Sequence, residues 1–104
     1  MFEKYKHRIN ERIVCADGFS FSVQASEFHY CTPRVTKYEP YKEYEVGFPS
    51  VEEESLMPYK EKANSALNAV YGYVPRKVVE EIIAKHGGIV SGTFPENVEA
   101  EYLL

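Results

Sequence analysis

The sequence predicts an α+β fold: a small antiparallel sheet of three to five strands packed by one main helix in the C-terminal half. Three observations carry this expectation. Two runs of alternating apolar and polar residues flank Ala16-Asp17-Gly18, and a third such run covers 41–48. After Pro75, the residues Val78, Val79, Ile82, Ile83 and His86 recur at helical spacing. A helix with one apolar stripe must bury it, and the apolar face of the sheet is the surface available for that.

Each element has its own signal. Ile13, Cys15, Phe19, Phe21 and Val23 alternate with Arg12, Ser20, Ser22 and Gln24, as in a hairpin that is apolar on one side and wet on the other. Asp17-Gly18 supplies residues that tolerate the positive φ of a tight turn. Pro33 and Pro40 break the stretch from Ser26 to Pro40. Tyr44, Val46 and Phe48 are then expected on one face of a third strand, which Pro49 ends. Ser50 followed by Glu52, Glu53 and Glu54 resembles a capped, solvated helix start, stopped within two turns by Pro58. Ala69 to Val74 reads as a strand on which Tyr71 and Tyr73 share a face. Pro75 suits the first position of the main helix, and Gly87-Gly88 suits its end. Ile89-Val90-Ser91 fits a short edge strand.

A length of 104 residues predicts a single domain, 1–104, with 50–68 as a variable excursion and 93–104 as a loosely attached acidic tail. The core is expected to gather Phe19, Phe21, Val23, Val46, Val79, Ile82 and Ile83. The net charge is −4, and residues 51–104 supply all of it. Without a basic run, nucleic-acid binding is not expected. No apolar run approaches the roughly 18 residues of a membrane span, so no membrane role is expected either. With no secretory-type N-terminus, Cys15 and Cys31 are expected to stay reduced, Cys15 as a small core residue.

Catalytic and metal chemistry find little support. Cys15, His29, Cys31 and His86 lack the spacing of a structural zinc site, and nothing marks an oxyanion site beside His29 and Cys31. His86 suits a helix C-terminus as a cation. Gly87-Gly88 with Gly92 follows a helix rather than opening one, unlike a phosphate loop. The expectation is no enzyme, no cofactor and no metal. Nine tyrosines without a tryptophan fit contact surfaces as well as half-buried strand positions. The candidate ligand- or partner-binding residues are Gln24, Ser26, His29, Tyr30, Arg34, Tyr71 and Tyr73. If the strand at 69–74 lies near the hairpin, its tyrosines, with Gln24, Ser26 and Arg34, line a surface suited to a peptide or a nucleotide-like ligand.

Five strings carry a family resemblance: Cys15 to Ser26, Tyr30-Cys-Thr-Pro-Arg34, Glu43 to Pro49, Val70 to Pro75, and Lys85-His-Gly-Gly-Ile89. Over residues 9–92 the chain resembles a family of small uncharacterised accessory proteins of tailed bacteriophages and prophages. The resemblance implies a context, the host cytoplasm, rather than a chemistry. Phage accessory proteins of this kind often bind a host component. Some block CRISPR effectors, and others sequester the nucleotide signals of host defence. The expected function is therefore inhibition of a host defence protein by direct contact, with the chain a monomer or homodimer. The alternatives are capture of a nucleotide-like signal in a Tyr/Arg-lined pocket, and a virion assembly or structural role.

Overall fold

The structure, a computed structural model, describes residues 10–26, 29–32, 40–61 and 69–95. Strands β1 (Ile13–Cys15), β2 (Ser20–Gln24) and β3 (Glu43–Gly47) come first. A 3-10 helix (Glu54–Tyr59), strand β4 (Val70–Pro75), helix α1 (Arg76–Lys85) and strand β5 (Ile89–Ser91) follow. The five strands form one antiparallel sheet in the order β4-β3-β2-β1-β5. This is the predicted α+β class, at the upper end of the expected strand count.

Alternation sets which face is buried. Cross-strand partners share a face, and Val23 pairs with Val46, which pairs with Tyr71. Ile13 opposite Phe21 and Tyr44 opposite Val74 extend the same apolar face. Val79 and Ile82 of α1 and Leu56 of the 3-10 helix complete the core cluster, with Ile83 partly buried at its margin. Cys15 is buried, and burial foremost pushes its thiol pKa up, so it packs as a neutral small residue.

The ends of the elements follow from local chemistry. Between β1 and β2, Gly18 N–H donates to the Cys15 carbonyl and Cys15 N–H to the Phe19 carbonyl. Gly18 has φ +94, as the left-handed position of this three-residue turn requires. Asp17 Oδ1 accepts the Phe19 N–H at 2.9 Å, closing the turn from its own side chain. Helix α1 ends in a Schellman arrangement, with Gly87 N–H on the Ala84 carbonyl and Gly88 N–H on the Ile83 carbonyl.

Several expectations need correction. Ser50 caps no helix; its Oγ accepts the Ser20 N–H and its own N–H donates to the Ser20 carbonyl, tying the chain after β3 back to β2. The helix begins instead at Glu54, has no side-chain cap, and is of the tighter 3-10 type with Pro58 inside it. Pro75 caps α1 rather than entering it. Phe48 does not share the face of Tyr44 and Val46: it has φ +50 and is 47% exposed, because the backbone turns out of the strand there. Phe94 packs on the core against Tyr44, beneath the Arg76 guanidinium, while residues 96–104 lie outside the described residues. Of the expected excursion at 50–68, residues 50–61 are described and 62–68 are not. Among the described residues no helix is long and apolar enough to cross a membrane.

Candidate functional site

Strand β4 carries an irregularity that decides where its tyrosines point. Tyr44 pairs with Val74 and Val46 with Tyr71, so Glu45 alone stands opposite both Gly72 and Tyr73. One extra residue in a strand is a β-bulge, and it breaks the alternation. Tyr71 and Tyr73 therefore do not share a face, contrary to expectation. Tyr71 is fully buried, and burial first, with the Glu52 charge second, pushes its phenol pKa up. Tyr73 has φ +54 and is 39% exposed. Left-handed backbone at a bulky non-glycine residue is strained by about 1–2 kcal/mol, and the bulge holds it there.

The strained residue is paired with a second aromatic. Tyr73 N–H donates to the Tyr30 carbonyl at 2.9 Å, and Tyr30 N–H donates to Glu45 Oε1 at 2.9 Å. The two rings stack with centroids 6.0 Å apart and planes at 30°. Tyr30 is 45% exposed, so both rings offer area to solvent. Gly72 makes the close approach possible: a Cβ there would lie 2.9 Å from Glu61 Oε2 and 3.3 Å from Tyr30 Cβ. Glu61 is fixed alongside by its N–H on the Val70 carbonyl. The result is an exposed aromatic pair on the outer side of β4, flanked by the carboxylates of Glu45 and Glu61.

The other predicted site residues support this pair or lie apart from it. Ser26 Oγ and His29 Nδ1 are 2.7 Å apart, and Cys31 Sγ donates to the Ser26 carbonyl at 3.1 Å. All three are buried and shape the turn that presents Tyr30. Gln24 is also buried; its side chain spans Asn10 N–H, the Asn10 carbonyl and Ser22 Oγ. Arg34 lies outside the described residues. The structure thus brings Tyr30 and Tyr73 together at the surface and places Gln24, Ser26, His29 and Tyr71 beneath it.

A second polar cluster joins the β1–β2 turn, the start of the 3-10 segment and the end of α1. The ring of His86, at the end of α1, stacks on Phe19 with centroids 4.0 Å apart. Its Nδ1 lies 2.7 Å from Asp17 Oδ2 in the β1–β2 turn, and its Nε2 lies 3.1 Å from Glu53 Oε1. A neutral imidazole carries only one N–H, so two carboxylate partners call for the imidazolium. Burial pulls the His86 pKa down, but the bonds to Asp17 and Glu53 outweigh it and the net shift is upward. Glu53 is 3% exposed and also accepts from Lys85 Nζ and Ser55 Oγ. Burial pushes its carboxyl up, but the bonds from His86, Lys85 and Ser55 prevail and hold it below the usual range. Asp17 is held low first by the Phe19 N–H and then by His86.

The expected solvated Glu52-Glu53-Glu54 run is corrected at Glu53, which is a buried anchor. The signal for it was present: His86 falls on the apolar stripe of α1, and a titratable group on a buried face needs a partner. Both ring nitrogens of His86 already face carboxylates, which leaves neither for activating a nucleophile. Beside the cluster, a groove of ≈ 420 Å³ runs between the 3-10 helix and α1, lined by Glu54, Ser55, Val78, Glu81 and Ile82 among others. Comparison of the chain with protein-family models, curated proteins and solved structures gives no match.

Proposed function

We propose that this chain is a phage accessory binding protein, not an enzyme. In this reading it inhibits a host defence component, such as a CRISPR effector, by protein–protein contact in the host cytoplasm, with Tyr30 and Tyr73 at the centre of the contact. One observation carries the choice of surface: two stacked, exposed tyrosine rings held outward by strained backbone at Tyr73. Strain that persists in a folded domain concentrates where function needs a fixed geometry. Tyrosine is also among the residues that dominate interface energies, because it fixes a large amphipathic area at little entropic cost.

The nucleotide-pocket reading is weakened by the same geometry. Tyr71 is core, and Gln24 and Ser26 are buried and hydrogen-bonded within the chain, which removes three of its walls. An exposed aromatic pair suits a protein surface better than an enclosed small ligand. Capture from host lysate tests the proposal. Wild-type protein retains an identified defence protein, and Tyr30→Ala/Tyr73→Ala loses it while keeping its thermal midpoint. Recovery of virion structural proteins alone sinks the inhibitor reading and leaves the assembly role.

A further inference from the structure

We infer that the Tyr30–Tyr73 face is a receptor for an arginine side chain of the partner protein; the inference rests on the contact surface proposed above. The two stacked rings, with centroids 6.0 Å apart and planes inclined at 30°, belong to residues that are 45% and 39% exposed. An aromatic face attracts a cation within roughly 6 Å of its centroid, and more strongly as water is excluded. Carboxylates at the rim supply the second half of the recognition. Glu45 uses Oε1 to accept the Tyr30 N–H, and its Oε2 makes no hydrogen bond among the described residues. The Glu61 carboxylate makes neither ion pair nor hydrogen bond among those residues, even with the adjacent Lys60.

The position of Glu61 ties it to the rings rather than to the acidic surface at large. Its Oε2 and the Tyr30 Cβ approach the same point above Gly72, at 2.9 and 3.3 Å. A partner side chain lying across the tyrosines therefore meets a carboxylate at the rim. Of the two permanently cationic side chains, only arginine is planar at its charge, so its guanidinium can stack on a ring while its edge forks onto a carboxylate. Lysine, a compact and strongly hydrated point charge, satisfies the carboxylate but not the stack. The complementarity also fits the net charge of −4, which favours encounter with a basic surface.

The test is a titration of the full chain, followed through the ring-proton resonances of Tyr30 and Tyr73. The probes are a short arginine peptide, its citrulline counterpart and its lysine counterpart. Citrulline keeps the shape and polarity of arginine without the charge. The arginine peptide shifts both rings, citrulline does not, and lysine binds more weakly. Glu45→Gln/Glu61→Gln keeps the hydrogen bond to Tyr30 and removes both charges; it weakens arginine binding about fivefold to thirtyfold with an unchanged melt. Equal shifts from arginine and citrulline, shifts spread over other acidic residues but absent at the two rings, or equal affinity for lysine each overturn the inference. Failure here separates from failure of the proposed function. A partner lost by Tyr30→Ala/Tyr73→Ala yet held fully by Glu45→Gln/Glu61→Gln overturns the arginine receptor alone. A partner retained by the tyrosine variant overturns the proposed contact and the partner's arginine as occupant, while intact peptide shifts still show that the face itself takes an arginine.

Discussion

Glu53→Gln removes one negative charge from the cluster that joins the β1–β2 turn, the 3-10 segment and the end of α1. Glutamine keeps an acceptor and nearly the same volume, so the change is electrostatic rather than a cavity. In the wild type the carboxylate accepts from His86 Nε2 at 3.1 Å, Lys85 Nζ at 3.1 and 3.2 Å, and Ser55 Oγ at 3.0 Å. Lys85 is 61% exposed, so its pair contributes about 0–1 kcal/mol. The His86 bond is shielded and charge-assisted, worth about 1.5–3 kcal/mol. A loss of about 2 kcal/mol follows, which lowers Tm by roughly 8–12 °C for a domain of this size. The pH dependence identifies the cause. The His86 pKa is raised, so its contribution is complete below the ordinary histidine value of 6.5 and is lost as pH rises through the folded value. Glu53 and Asp17 are lowered, so theirs is complete above the ordinary carboxylate range and is lost as pH falls through their folded values. The stability contributed by this cluster is therefore greatest between about pH 4.5 and 6.5. Urea unfolding read by circular dichroism should show the wild-type advantage over Glu53→Gln largest there and shrinking at higher pH. Equal midpoints at pH 6, or a gap that stays constant up to pH 9, would refute the imidazolium bridge.

Three further outcomes follow from the packing. Ile82→Ala, within the core at the α1–sheet contact, should cost roughly 2–5 kcal/mol in urea unfolding; an unchanged melt contradicts the core assignment. Gly92→Ala should detach β5 from β1, since Gly92 has φ +96 and a Cβ there would overlap the Arg12 carbonyl and lie 2.6 Å from Ile13 Cα. Hydrogen exchange at β1 and β5 should accelerate well before the rest of the sheet, and uniform protection argues against it. Tyr73→Gly should be more stable than Tyr73→Ala by about 1 kcal/mol, because glycine alone relieves the left-handed strain; equal midpoints mean that the bulge is not strained.

The sheet was legible because alternation dictates burial directly. Ile13, Phe21, Val23 and Val46 could occupy the core only in the observed register. The helix was legible for the same reason at its own period. The candidate site was less so, because a bulge shifts every later residue of a strand to the other face. Gly72 inside an otherwise β-rich run is the local hint of that bulge. Without it, Tyr71 and Tyr73 look equivalent, although one is core and the other surface. Glu53 was obscured by its neighbours: three adjacent glutamates read as solvated, and only the tertiary approach of His86 and Lys85 singles out the middle one. Asp17 served both as turn former and as His86 partner, and only the first role has a local signature.

Plaque formation on defence-bearing hosts is the sharpest check of inhibition through the tyrosine pair. A phage restricted by a panel of host defences, a CRISPR system among them, is plated on cells expressing either wild-type protein or Tyr30→Ala/Tyr73→Ala at matched levels. Wild type is expected to restore plaques against one defence in the panel, and the double variant is not. Restoration by the double variant equal to wild type, or no restoration across the panel, would contradict inhibition through this pair.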